Sequence, residues 1–159
     1  MRRAARTTRA AVTVELTRRV RAWVPSRGEL TQWAAAAVGR RGRGRALAVA
    51  VVGAPESRQL NARFRGRDRP TNVLSFPPAA HGGPGAQALG DLVVCARVLR
   101  AEAAAQAKPL RAHWAHLIVH GTLHLLGYDH EHARDARRME RREVAVLRGL
   151  GFANPYRSH

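Results

Sequence analysis

With 159 residues the chain fits one domain and one ordinary hydrophobic core, and a lone cysteine, Cys95, excludes an internal disulfide or a cysteine-rich zinc module. The formal net charge of +17 suits a polyanionic partner, nucleic acid above all, yet Lys108 is the sole lysine in an Ala-, Gly- and Val-rich chain. GC-rich coding yields the same arginine excess on solvated faces, so charge alone does not choose. The start, MRRAARTTRAAVTVEL, is basic but leads into no long apolar run, and no stretch is long enough for a bilayer; a cytoplasmic protein without a membrane partner is expected.

Val12 to Leu16 alternates apolar and polar as a half-buried strand does. After a turn at Pro25, Ser26 and Glu29 have capping-box spacing, and an alanine-rich helix runs to Val38. Gly39 to Gly44 is a loop. Ala46 to Val52 is a second strand, followed by a helix that starts near Pro55 and ends before Pro70. Val73 to Phe76 is a short strand closed by two prolines, Ala79 to Ala88 a Gly/Pro/Ala-rich loop, and Leu92 to Val94 a fourth strand. Helices follow over Ala96 to Gln106, Leu110 to Leu126 and about His132 to Leu147. Four strands among five helices give a mixed α/β layered domain, 1–159, with no internal repeat or linker.

Six of the eight histidines fall between His113 and His132. His120 and His124, four apart on the central helix, stand about 6 Å apart along its axis on one face, a spacing at which two imidazoles chelate one ion. Gly127 lets the chain leave the helix, so that His130 can return as a third ligand. Three imidazoles and an open fourth position make a catalytic zinc site, in which bound water is acidified towards neutral pH. A structural zinc is less well served, because its fourth ligand would have to come from Asp129, Glu131 or His132. The spacing His120, His124, Gly127, His130 is that of the metzincin signature, but the position of the protease's general-base glutamate is Gly121. Peptidase chemistry by that route is therefore disfavoured. His113, His116 and His132 are read as packed or exposed, with support of a ligand the functional alternative for His116.

The run His116-Leu-Ile-Val-His-Gly-Thr-Leu-His-Leu-Leu-Gly-Tyr-Asp-His130 resembles the signature of the YbeY family of bacterial endoribonucleases. Leu60-Asn-Ala-Arg-Phe-Arg-Gly-Arg-Asp-Arg-Pro-Thr-Asn-Val-Leu-Ser-Phe76 is similar to the family's second block, Leu89-Gly-Asp-Leu-Val-Val94 to its third, and Asn154-Pro-Tyr156 to its ending. Residues 1 to 45 match only in general organisation. The resemblance implies a metal-dependent endoribonuclease that prefers single strands, processes ribosomal RNA at the 3′ end of the small-subunit RNA, and serves ribosome quality control. Its partners would be ribosomal RNA and the ribosome or its proteins, with no DNA target. It implies one Zn2+ on His120, His124 and His130, and a functional role for Arg65.

The expected fold is α+β and zincin-like, with about four strands in a mixed sheet covered by about five helices and the zinc site at the end of the central helix. A guanidinium at Arg65 could hold a phosphodiester bidentately and stabilise charge on phosphorus. Asp68, Thr71 and Asn72 are read as turn formers, and Asp91 stays open between strand start and site. Tyr128 and Asp129 would orient His130 or fix its loop, while Glu140 and Glu143 are read as ion-paired surface groups. The rivals are a peptidase or other hydrolase that recruits a base such as Glu131, and a non-catalytic RNA-binding factor braced by zinc.

Overall fold

The computed structural model describes residues 12–42, 44–78, 87–128 and 131–157. His130 and Asp129 therefore lie outside the described residues, as do residues 79–86 of the expected Gly/Pro/Ala loop. The elements are β1 (Val12–Arg18), α1 (Arg27–Val38), a 3-10 turn (Gly39–Gly42), β2 (Arg45–Val52), α2 (Ala54–Arg65), β3 (Val73–Phe76), β4 (Ala88–Cys95), α3 (Ala96–Ala105), α4 (Leu110–Leu125) and α5 (Ala133–Gly149). The fold is α+β: a four-stranded mixed sheet and five helices.

The sheet runs β1-β2-β4-β3, with the first three strands parallel and β3 antiparallel to β4. Val14 faces Leu47, and Val49 faces Leu92, so that one sheet surface carries a continuous apolar row. Helices α1 and α4 pack on that row, with Leu30, Trp33, Trp114, Ile118 and Leu123 all buried. Helix α2 lies on the other side, where Leu60 and Phe64 border Ala50 and Val93. At Ser26 the capping box forms in both directions.

One departure from the sequence reading has a local cause. Strand β4 begins at Ala88 rather than Leu92, because Ala88 to Asp91 pair with Ala46 to Ala48 across a bulge. Gly90 in that stretch has φ 137°, and a Cβ there would sit 2.4 Å from the Phe76 carbonyl oxygen, so its alternation is not that of an ordinary strand. Helix α2 ends before Pro70 as expected, at Gly66, which takes the left-handed conformation (φ 69°). Among the described residues no helix is long and apolar enough to cross a membrane.

Candidate active-site cleft

Helix α4 ends as its glycine demands. Gly127 adopts φ 100°, its N–H bonds the His124 carbonyl, and Tyr128 N–H bonds the Leu123 carbonyl at 3.1 Å. These two bonds form a Schellman stop, which ends the helix at Gly127. Gly121 sits on the buried face of the same helix. A Cβ there would lie 2.7 Å from a methyl of Leu92, itself fully buried. A side chain at the position that carries a glutamate in the protease signature would thus displace the buried Leu92 side chain, because α4 lies directly on β4 here.

His120, His124, Arg65 and Glu131 line one cleft of about 560 Å³, with Phe64, Asn72 and residues 73–76 of β3 forming the rest of its wall. Arg65 is the last residue of α2 and exposed. Its helix end is tied to the 67–71 loop by three side chains. Ser57 Oγ donates to the Thr71 carbonyl and accepts from Thr71 N–H, Asn61 Nδ2 donates to the Arg69 carbonyl, and Arg58 forks onto Asp68 at 2.8 and 2.9 Å. Asp68 and Thr71 shape this turn, as their residue types suggest. Asn72 does more than turn the chain. It accepts from Val73 N–H, donates to Glu102, and lines both the cleft and a smaller cavity behind His120. Asp91 is an exposed strand residue outside the cleft lining, and Tyr128 packs against the core beneath Arg138.

Glu143 overturns its reading as a surface ion-pair residue. It is fully buried, and its Oε1 takes His120 Nδ1 at 2.5 Å while its Oε2 takes His116 Nε2 at 3.1 Å and the Tyr156 hydroxyl. The reason lies in α5, whose buried residues Met139, Glu143, Val146 and Leu147 follow helical spacing, so that the carboxylate falls on the apolar stripe. A carboxylate on such a stripe must find donors, and that rule would have exposed Glu143 in the sequence. Glu140 is exposed, as expected. Burial by itself would raise the Glu143 carboxyl. The hydrogen bonds from His116 and His120, with the charge of His120 and the Tyr156 hydroxyl, outweigh it and hold the group at about 2. The Tyr156 hydroxyl is pushed up by burial and by Glu143. His116 is thereby joined to His120 through a shared carboxylate, and Tyr156 brings the C-terminal tail into the same network.

His113 is buried and bonds Glu102 at 3.0 Å; burial lowers its pKa, partly offset by Glu102. His132 is the exposed N-cap of α5.

Among the described residues no group of three His, Cys, Asp or Glu side chains stands in metal-holding geometry. What is present fits a metal nonetheless. The carboxylate on His120 Nδ1 sets the imidazole tautomer so that Nε2 carries the lone pair, and a carboxylate–histidine pair of this kind is the usual support of a metal-ligating imidazole. His124 lines the same cleft.

The fold and the cleft together define a class: a small α+β domain that presents paired helical imidazoles and an arginine to one groove. A family model described as endoribonuclease YbeY matches residues 8–151, and the chain belongs to that family of endoribonucleases. Its fold is also shared by TM1509 from Thermotoga maritima, whose solution structure is 22% identical with a TM-score of 0.56, over 92% of this chain and 99% of that one.

Proposed function

We propose that the chain is a cytoplasmic, single-domain, zinc-dependent endoribonuclease that cuts single-stranded ribosomal RNA, notably at the 3′ end of the small-subunit RNA, and serves ribosome quality control. The observation that carries this reading is one cleft lined by Arg65, His120 and His124, with His120 Nδ1 bonded to a buried carboxylate. His120, His124 and His130 would hold the ion, at the end of the central helix in a zincin-like manner. When bound, zinc supplies a Lewis acid and acidifies a coordinated water.

Everything else is done by the chain. Arg65, exposed at the cleft wall, grips the phosphodiester through two parallel N–H donors and neutralises charge gathering on its oxygens. Glu143 accepts from His116, His120 and Tyr156, which keeps His120 in one tautomer and one orientation. Phe64, beside Arg65, offers an exposed ring on which a base can stack. Glu131 also lines the cleft.

The test is metal analysis of the purified protein, followed by digestion of precursor ribosomal RNA with wild-type and Arg65→Ala forms. One zinc per chain and cleavage lost in the variant are expected. Tight, salt-sensitive RNA binding indifferent to Arg65→Ala, without cleavage at any metal loading, would establish the binding-factor reading instead. Product ends assign the nucleophile: a cyclic phosphate for the substrate's 2′-hydroxyl, an open monoester for water. Digestion of a peptide library addresses the peptidase rival, which Gly121 pressed on Leu92 disfavours.

A further inference from the structure

A second feature of the surface lies away from the cleft, at the end of the sheet where β2 and β4 run out into α2 and α3. There Trp23, half exposed, stands in a concavity of about 270 Å³ together with Arg21, Arg97 and Arg100. No residue lining that concavity is acidic, and among the described residues none of the three arginines pairs with a carboxylate. Elsewhere exposed arginines do find such partners, as Arg19 does in Glu56 and Arg111 in Glu29.

The concavity adjoins a groove that runs along α2. It shares Ala54 and Arg97 with this groove along the outer side of α2, which Arg58, Gln59, Ala62, Arg63 and the carboxylate of Asp68 also line. Arg58 is committed to Asp68, leaving Arg63 and Arg97 as the cations facing that groove. The next residues of the helix, Phe64 and Arg65, belong to the cleft. Helix α2 thus carries a path from Ala54 at the concavity to Arg65 at the cleft, about 17 Å at 1.5 Å per residue. At roughly 3.4 Å per phosphate this spans about five stacked nucleotides.

We propose that this path is a binding site for the flanking single strand of an RNA substrate, with a base stacked on Trp23 and phosphates on Arg21, Arg97 and Arg100; it rests on RNA being the substrate of the cleft. An exposed indole among unpaired guanidinium groups is what sequence-tolerant single-strand binding requires, the ring taking base faces and the cations the backbone. An A-form duplex, with its bases stacked inside, cannot offer a face to Trp23.

The other tryptophans, Trp33 and Trp114, are 1% and 0% exposed, so that collisional quenching of tryptophan fluorescence reports Trp23. Saturating wild-type protein with a single-stranded RNA 12-mer is expected to shield the quenchable component from acrylamide at least threefold, whereas a 4-mer leaves it open. Arg21→Gln, Arg97→Gln and Arg100→Gln together are expected to lower the log–log salt slope of 12-mer binding by about 2, at about 0.7 for each single-strand phosphate that is no longer neutralised. The ratio of KM for a 20-mer to KM for a 4-mer rises at least fivefold in the same variant, whose fold is checked by circular dichroism. Equal quenching with and without the 12-mer, or an unchanged salt slope, would overturn the proposal. Equal shielding by duplex RNA or by an acidic peptide would overturn it as well, since the patch would then take anions of any shape. Shielding and slope are read without turnover: an inactive wild type that is shielded refutes the nuclease reading alone, and an active one that is not shielded refutes the path alone.

Discussion

The two walls of the cleft are built on opposite plans. On the α4 side, the imidazole of His120 is fastened from behind by a fully buried carboxylate, which also holds His116 and a tail tyrosine. On the α2 side, Arg65 and Phe64 stand exposed, and the bracing is applied not to them but to the turn beneath, through Ser57, Arg58 and Asn61. The difference fits what the proposed function would ask of each wall. Metal ligands have narrow tolerances in distance and direction, so a ring proposed to hold zinc would need to be fixed before any ion arrives. A guanidinium that follows a phosphate along a flexible strand needs reach, and a rigid backbone with a mobile side chain supplies it.

The largest effects should separate the walls by their readouts. His124→Ala is expected to take bound metal from about one per chain to near zero, whereas Arg65→Ala keeps its metal and loses kcat by about 10²–10³, the cost of one transition-state donor. Metal analysis beside single-turnover kinetics reads both; loss of metal in Arg65→Ala would erase the distinction. Next comes the buttress. Glu143→Gln keeps the shape but turns an acceptor of three bonds into a partial donor, and zinc affinity measured by chelator competition should fall about 10- to 100-fold. An unchanged affinity would mean that His120 orients itself.

On the opposite wall, Ser57→Ala strips the buried partner from the Thr71 amide and carbonyl, a loss of about 1–3 kcal/mol in urea melts with metal content intact. A fall in metal content would show the walls to be coupled. The smallest effect concerns pH. His113 faces Glu102, His116 and Lys108, and its folded pKa lies below its ordinary 6.5, so that the unfolded chain takes the proton first. Its contribution is complete above about pH 6.5 and is lost as pH falls through the folded value. Metal-free wild type should therefore lose more stability than His113→Gln between pH 7 and pH 5. Parallel stability curves would show that burial does not hold this imidazole neutral.

Much of this was legible in the residues. The capping box at Ser26 and Glu29, strand β3 over Val73–Phe76, and the glycine exit at Gly127 are local events, set by side chains within a few positions of the backbone they satisfy. The pairing of His120 with His124 is likewise local, because helical spacing alone puts them on one face.

What lay beyond the sequence was every relation between elements. Gly121 reads as a missing base, and only the approach of α4 to β4 shows that Leu92 fills its space. Glu143 reads as one more charge among arginines until α5 is laid against α4 and the carboxylate meets three donors from two other segments. Arg65 and Trp23 are distant in the chain, and the tertiary fold sets them at the two ends of one helix-borne path. Sequence by itself determined the helix stops, the strand cores and the spacing of His120 and His124, since short-range hydrogen bonds and periodicity act on neighbours. Which polar groups are buried together, and which stay open to a ligand, was decided by packing, because burial is a property of surfaces brought together from remote parts of the chain.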